Sequence, residues 1–182
     1  KLKLDIKGIY YIPRILKASK LGDAAILKEL IKILAENKIK VIKLNSFNPE
    51  LTLKKGCYTN IKPSFSDKNI IKKGVNFLKK INAHNHTQAL VINESKVISL
   101  EKKSGTKQML KLIKKTKNKN YILIKMPKKK QDLRADLPTI GIDTLKDCKK
   151  SGIKGIAIKA NQNIILNKLE SIKFANSNKI FL

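Results

Sequence analysis

Short aliphatic runs alternate along this chain with segments whose apolar residues recur at helical spacing, and this alternation limits the folds available to it. Tyr121–Lys125 has the length and composition of a buried strand. Residues 88–93 and 97–101 are two further β-rich runs on either side of the turn-forming residues 93–96, an arrangement typical of a β-hairpin. The pattern predicts an α/β fold.

The same two periodicities place the other elements. Helices are predicted after Gly22 with Asp23 as the cap, after Ser66 or Asp67, from Ser104-Gly105-Thr106, over 144–150 with Gly152 as the stop, and over 168–176. Further strands are predicted at 39–44, 155–159, 163–166 and 180–182.

A break in the periodicity at residues 62–64, where a proline and polar residues interrupt the pattern, marks the predicted domain boundary. We expect two small domains joined by a short linker. The first would comprise residues 1–61, which include the linker, and the second residues 62–182. The first residues do not form a signal peptide, and because an initiator methionine is absent we expect the sequence to begin inside a longer protein.

The net charge of +28 raises the question of a nucleic-acid partner. Of the basic residues, however, only Arg14 and Arg134 are arginine, the side chain that nucleic-acid readers use most for its bidentate fork. Lysines occur on almost every segment and aromatic residues are few, so no basic stripe with stacking side chains is evident. The charge therefore does not favour nucleic-acid binding, although a basic nucleic-acid-binding protein remains an alternative.

The cysteines and the apolar runs exclude two other classes of protein. Cys57 and Cys148 lie far apart and have no CxxC partners, so they fit neither a disulfide framework nor a zinc site. We expect both to be buried and reduced, as in a cytosolic protein. No apolar run approaches the ~20 residues that a membrane-spanning helix needs.

Residues 131–141 hold the densest group of polar side chains. Pro138 disfavours a helix before it, so we expect extended chain in which Asp132, Arg134 and Asp136 share one face. Carboxylates that bind Mg²⁺ beside an arginine that binds phosphate would suit a metal–phosphate site. A solvated edge with a local ion pair is the alternative interpretation.

A second polar element is the predicted helix start Ser104-Gly105-Thr106-Lys107. Free backbone amides at such a position can bind phosphate. The spacing of a P-loop is absent, and an ordinary helix cap explains the same residues equally well.

Residues 131–141, followed by Thr144-Leu145, resemble the signature QDxRxDxPTIGxxTL of the LpxI-type UDP-2,3-diacylglucosamine pyrophosphatases, formerly a family of unknown function. The likeness covers nearly the whole chain in the right order, with further matching stretches at 56–59, 63–64, 151–157, 164–166 and 180–182.

This resemblance implies a function in lipid A biosynthesis: hydrolysis of UDP-2,3-diacylglucosamine to UMP and 2,3-diacylglucosamine 1-phosphate (lipid X). It also implies dependence on a divalent metal, usually Mg²⁺, substrate held between two domains, and a homodimer. By the same resemblance, residues 1–61 are expected to be the C-terminal part of the N-terminal domain together with the linker, a domain that is incomplete because the front segment of the family is missing. Residues 62–182 are expected to be a C-terminal domain of catalytic type. A cytoplasmic location in a Gram-negative bacterium follows, and peripheral contact with the inner membrane is compatible with a lipid substrate, because anionic headgroups attract lysines.

The matching positions also imply residue roles. Asp132 corresponds to the essential carboxylate of the family and is expected to be catalytic and a metal ligand, with Asp136 as a second ligand. The residues expected to bind substrate or phosphate are Arg134, Gln131, Thr106, Gly105, Lys125, Thr139 and Gln88.

The sequence departs from the family at the third predicted helix. The family pattern E-G-T-D is here Ser104-Gly105-Thr106-Lys107, so both of its carboxylates are replaced while the glycine and threonine remain. Lys107 could instead contact phosphate directly. The alternative is a catalytically impaired relative that still binds a nucleotide-sugar lipid.

Overall fold

The computed structural model describes residues 5–81, 87–94, 96–113, 120–129 and 131–182. The α-helices are α1 Ile6–Ser19, α2 Asp23–Glu36, α3 Leu44–Phe47, α4 Phe65–Ile81, α5 Gly105–Lys111, α6 Ile142–Lys150 and α7 Lys168–Ser177, with a 3-10 turn at Pro49–Leu51. The strands are β1 Ala89–Asn93, β2 Lys96–Leu100, β3 Tyr121–Lys125, β4 Thr139–Ile140, β5 Ile153–Ile158 and β6 Ile164–Ile165.

The main sheet has four strands in the order β2-β1-β3-β5. β1 pairs antiparallel with both β2 and β3, whereas β3 and β5 are parallel. A parallel pair needs a long crossover connection, and here the connection contains α6. β4 and β6 form a separate, parallel two-stranded sheet. The α/β class is confirmed, with a mixed sheet.

Alternate residues of the central strands supply two apolar cores, one on each face of the sheet. Leu123 and Val91 point to the face covered by α5, α6 and α7, where Leu110, Leu145 and Ala175 are buried. The residues that alternate with them face α4 and pack on its buried side. Because the strands β1 and β3 are covered on both sides, their apolar runs are nearly continuous.

The start of α4 is fixed by a reciprocal cap. The Ser64 hydroxyl accepts a hydrogen bond from the Asp67 backbone amide at 3.1 Å, and the Asp67 carboxylate accepts from the Ser64 amide at 3.0 Å. This capping box begins the helix close to the predicted position, with Ser64 as the cap in place of Ser66 or Asp67. Further along, a Cβ at Gly74 would overlap Ile124 of β3, so glycine permits the close approach of helix and sheet.

Residues 52–60 are joined to the C-terminal part of the chain. Thr52 forms a β-bridge with Ile164, and the Asn161 amide donates to the Leu53 carbonyl at 2.8 Å. The Leu182 amide donates to the Thr59 hydroxyl at 2.9 Å. This segment lies before the predicted boundary at 62–64, yet its hydrogen bonds are made with residues after it.

Helices α1 and α2 form an antiparallel pair. The guanidinium of Arg14 binds Glu29 at 2.7 Å and Glu36 at 2.5 Å. One of the two arginines is therefore used to hold the pair together. None of the helices in the described ranges has both the length and the apolar character that a membrane crossing requires.

Three local predictions were wrong. Residues 39–44 form no strand: Ile39 and Ile42 are 53% and 44% exposed, because no neighbouring strand is present in the described chain to pair with the run. Cys57 is exposed, since the segment 54–57 crosses the surface, whereas Cys148 is buried and both are free. Asp23 lies inside α2, and Gly22 takes the capping position without a side-chain bond.

Other local predictions hold with small shifts. The hairpin of β1 and β2, the buried strand β3, α5 and α7 are present. The predicted strand 180–182 is reduced to a single bridge between Phe181 and Gly155.

Candidate active site

Several polar residues highlighted by the sequence meet at one edge of the main sheet. The parallel strands β3 and β5 end at this edge, and β1 begins there, since Ala89 pairs with Lys125. In open α/β sheets, ligands bind outside the carboxyl ends of the strands. Gln88, Lys125 and the loop that follows β3 therefore lie where a site is expected.

Glu101 is the buried carboxylate at the centre of this group, with 7% of its surface exposed. Its Oε1 accepts a hydrogen bond from the Thr106 hydroxyl at 2.5 Å, and its Oε2 accepts from the Gln88 backbone amide at 3.1 Å. These bonds connect the end of β2, the first turn of α5 and the residue before β1. Thr106 and Gln88 are predicted to bind substrate, and what the structure gives for them is their hydrogen bonds to Glu101.

Lys125 brings a positive charge to the same group. Its Nζ donates to the Thr106 hydroxyl at 3.0 Å and to the Thr139 carbonyl at 3.1 Å, and 7% of the residue is exposed. Burial lowers the pKa of the Lys125 ammonium, and the charge of Glu101 opposes this effect in part. Lys125 thus joins β3 to α5 and to the start of β4.

Gln88 and Gly105 complete the group. The backbone carbonyl of Gln88 accepts from the Met126 amide at 2.8 Å, while its side-chain Oε1 is buried without a hydrogen-bond partner among the described residues. Gly105 has a φ of 81°, a conformation that glycine adopts without strain, and it allows the chain to enter α5 so that Thr106 faces Glu101.

The loop after β3 contains a turn instead of the predicted extended chain. The Asp132 carbonyl accepts from the amides of Ala135 at 3.2 Å and Asp136 at 2.8 Å. The Asp132 side chain also accepts from the Arg134 backbone amide at 3.0 Å. An aspartate that bonds the backbone two residues ahead stabilises a turn, which is why the alternating pattern of residues 132–136 did not produce a strand.

Asp132 and Arg134 nevertheless lie side by side. Arg134 donates from Nε to Oδ1 at 3.0 Å and from Nη2 to Oδ2 at 2.7 Å. The bond from Arg134 lowers the pKa of the Asp132 carboxyl, and the charge of Lys28 in α2 adds to this effect. The carboxylate is therefore held in its ionised form, and α2 lies within electrostatic range of the loop. Asp136 is half-buried and contributes its backbone amide to the turn.

Gln131 has a structural contact as well, because its Oε1 accepts from the Lys128 backbone amide at 2.8 Å. Beyond the turn, a groove of about 210 Å³ is lined by Thr139, Gly141 and Asp143, and Leu166 and Asn167 contribute to its lining. A Cβ at Gly141 would approach the Leu166 Cβ to 3.2 Å, so a larger residue there would narrow this groove.

The carboxylates fit one mode of metal binding. Within the described ranges, no group of three or more His, Cys, Asp or Glu side chains could share an ion, so these ranges offer no cage made by protein ligands. Mg²⁺ in phosphoryl-transfer enzymes is commonly bound by one or two carboxylates and by the phosphates of the substrate. Asp132, ionised and with 24% of its side chain exposed, suits that mode.

The protein-family model of the LpxI C-terminal domain matches residues 54–182, which is most of the chain. The chain belongs to the LpxI family. A curated relative, the UDP-2,3-diacylglucosamine pyrophosphatase LpxI of Caulobacter vibrioides, is 24% identical over 186 residues. That alignment covers 98% of this chain and 66% of the relative, so the chain spans just under two thirds of the relative's length.

The structure shows where the residues at 104–107 lie, the positions at which this chain differs from the E-G-T-D pattern of the LpxI family. Gly105 and Thr106, the two positions that keep the family residues, are those with a defined role at the start of α5. Ser104 and Lys107, the two substituted positions, are exposed. The changes therefore fall on the surface of the site and leave its buried hydrogen bonds in place.

Glu101 is the residue of this group that sequence reasoning missed. The sequence did contain a signal for a site residue here, because Glu101 is an acidic residue at the end of a strand run and three residues before the predicted helix start at residue 104. In this LpxI chain it links Gln88, Thr106 and, through Thr106, Lys125.

Proposed function

We propose that this chain forms the larger part of a metal-dependent hydrolase that cleaves UDP-2,3-diacylglucosamine to UMP and 2,3-diacylglucosamine 1-phosphate. The observation that carries the proposal is the ionised Asp132 with its bound Arg134 on the loop that follows the buried Lys125 end of β3. This is the edge where an α/β protein binds ligands. The name of the Caulobacter relative supports the choice of substrate.

The residues divide the work of diphosphate hydrolysis between charge and position. Mg²⁺, when bound, would neutralise the phosphoryl oxygens at which charge develops. Asp132 is the side chain that would hold this ion. A carboxylate whose pKa is lowered is a weak base, so this side chain serves better as a ligand and as an acceptor that orients water than as a group that removes its proton.

Arg134 supplies the second contact to the diphosphate. Its side chain is 44% exposed and remains accessible to phosphate oxygens while it pairs with Asp132. Lys125 is buried and has a positioning role. Its hydrogen bonds to Thr106 and to the Thr139 carbonyl fix the distance between α5 and the end of the loop that follows β3.

An apolar groove offers room for hydrocarbon. It has a volume of about 190 Å³, and apolar side chains such as Leu53, Pro63, Ile71 and Phe181 line it. We assign it to part of an acyl chain of the substrate, because such sites bury apolar ligand surface against apolar side chains.

The test is turnover. The whole protein, given UDP-2,3-diacylglucosamine and Mg²⁺, is expected to release UMP, and Asp132→Asn is expected to lower kcat by about a hundredfold or more. Glu170→Gln is the matched control, because Glu170 is an exposed carboxylate on α7, and it is expected to keep wild-type turnover. Removal of metal by a chelator should stop release, and added Mg²⁺ should restore it.

A second function is favoured by one observation, the replacement of the E-G-T-D carboxylates by Ser104 and Lys107. A relative that binds the nucleotide-sugar lipid without cleaving it would show saturable binding and no UMP. Restoring the family pattern by Ser104→Glu together with Lys107→Asp would then be expected to raise turnover. If the whole, folded protein neither binds nor cleaves the substrate, both proposals are wrong.

A further inference from the structure

Helix α4 covers one face of the main sheet. Its inward side carries Asp67, Ile70, Gly74 and Leu78, which are buried at a spacing of three and four residues. The apolar residues among them pack with the strand residues of the same core. The opposite side of the helix faces solvent along its whole length of roughly 25 Å.

The charges on this outer side all have the same sign. The acidic residue of α4, Asp67, is buried and pairs with Lys154 at 2.7 Å, so it does not offset the exposed charges. The exposed charged residues of the helix are Lys68, Lys72, Lys73, Lys79 and Lys80.

The α1–α2 pair and α6 contain cations that are paired with carboxylates. Arg14 of α1 is bound by two glutamates of α2, and Lys146 of α6 lies 3.8 Å from Asp143. The outer side of α4 has no such compensation from its own residues. It also exposes Phe65, at 81%, and part of Phe77, at 37%.

We propose that the outer face of α4 docks the protein on an anionic phospholipid surface. A single helix that lies across a sheet presents a convex, extended row of cations, which matches a plane of negative headgroups. Lysine stems and phenylalanine rings can enter the boundary between headgroups and acyl chains while the ammonium groups stay among the phosphates. The proposal rests on this face and does not depend on the proposed turnover.

A nucleic-acid partner fits this face less well. Proteins that grip nucleic acid use grooves lined with arginine and stacked aromatic rings. Both arginines of the chain lie elsewhere, in α1 and in the turn of residues 132–136, and each is bonded to carboxylates.

The experiment is co-sedimentation with vesicles of phosphatidylcholine, with and without phosphatidylglycerol. The wild-type protein is expected to bind the vesicles that contain phosphatidylglycerol and to be released by salt. The test variant reverses three lysines of α4: Lys68→Glu, Lys72→Glu and Lys79→Glu. The control variant makes the same change in net charge on other exposed lysines: Lys43→Glu, Lys173→Glu and Lys179→Glu.

The α4 variant is expected to bind at least about tenfold more weakly than the control variant, because each lysine near an anionic surface adds to the attraction. Since all of the changed side chains are exposed, both variants are expected to keep the wild-type circular dichroism spectrum, which is measured as the test of folding. Phe65→Ser should weaken the binding that persists in moderate salt.

Three results would overturn the proposal. Equal loss of binding in both variants would mean that only net charge matters. Unchanged binding by the α4 variant would place the contact elsewhere. Tighter binding of the wild-type protein to an RNA duplex than to the vesicles, lost in the α4 variant, would make the face a nucleic-acid surface.

Discussion

Asp67 and Glu101 are the buried carboxylates of the described chain, and their surroundings differ. Glu101 accepts from the Thr106 hydroxyl and a backbone amide, and its place is at the candidate site. Asp67 is remote from that site and joins two elements, because it caps α4 and pairs with Lys154 of β5. A buried ion pair is costly to break, since the remaining charge loses its partner.

Asp67→Ala is expected to lower the free energy of unfolding by about 2 kcal/mol at neutral pH, through the loss of the cap and of a charged hydrogen-bond acceptor. Burial by itself would raise the pKa of Asp67, but the bonds from Lys154 and Ser64 outweigh it and the pKa lies below its ordinary value. The stabilisation is thus fully present above the ordinary pKa and is lost as the pH falls through the lowered one.

Urea titrations over a range of acidic pH check this prediction. The difference between wild type and Asp67→Ala should be constant near neutrality and should shrink in acid. Asp143→Ala is the control, because the Asp143 side chain is 92% exposed and its change should cost less than about 0.5 kcal/mol. A difference between wild type and Asp67→Ala that does not vary with pH would contradict the argument.

The candidate site residues that the sequence could predict belong to the signature at 131–141 and to the helix start at 104–107. Thr106 and Lys125 do meet in the structure, 3.0 Å apart. The conformation of residues 132–136 was predicted incorrectly, because the hydrogen bond from the Arg134 amide to its neighbour Asp132 decides it and an alternating pattern does not reveal such a bond. Glu101 was missed because its partners come from three separate elements.

At the scale of elements, the contact between β5 and the chain end depends on one glycine. Phe181 forms a β-bridge with Gly155, and the Phe181 ring occupies the space where a Cβ at Gly155 would lie. The Ile156 amide donates to the Phe181 carbonyl at 2.8 Å, which holds the two segments at this distance. Neither the ring nor the backbone can move away without loss of packing.

Gly155→Ala is expected to destabilise the protein by about 1–3 kcal/mol, the usual cost of overpacking a core. Thermal or chemical denaturation measures the change. The double variant Gly155→Ala with Phe181→Leu should cost less than the sum of the two single changes, because the smaller side chain removes the overlap. Strict additivity would show that the ring and the glycine are not coupled.

Two runs of similar composition, Tyr121–Lys125 and residues 39–44, had opposite outcomes. Tyr121–Lys125 is buried at every position, so its composition was sufficient to identify a strand. The run at 39–44 has similar residues but no strand beside it in the described chain. Its positions 39–43 have no regular secondary structure, and a short helix begins at Leu44. A strand requires a partner, and the partner is not encoded in the local pattern.

Across the whole molecule, the elements differ in how extensively they are packed against the rest of the protein. The main sheet is packed by helices on both faces, whereas α1 and α2 pack mainly against each other. Ile6, Tyr10 and Leu21 of the helical pair are 88%, 73% and 77% exposed. Few buried contacts imply a low local free energy of opening.

Amide hydrogen exchange is expected to show this difference. Amides of β1 and β3 should exchange only through opening close to global unfolding, while those of α1 and α2 should have opening free energies lower by at least about 2 kcal/mol. Mass spectrometry of peptic fragments measures both in one experiment. Equal protection across the two regions would mean that the helical pair is as firmly held as the sheet.

The position of Phe181 and Leu182 has a consequence for biosynthesis. These residues bond to the segments 58–59 and 154–156, so this edge cannot close until residue 182 has left the ribosome. Until then, the apolar side of β5 near Gly155 and the segment 53–58 remain uncovered in the nascent chain. A ribosome that stalls shortly before this point would hold a chain with exposed aliphatic surface, the kind of surface that chaperones bind.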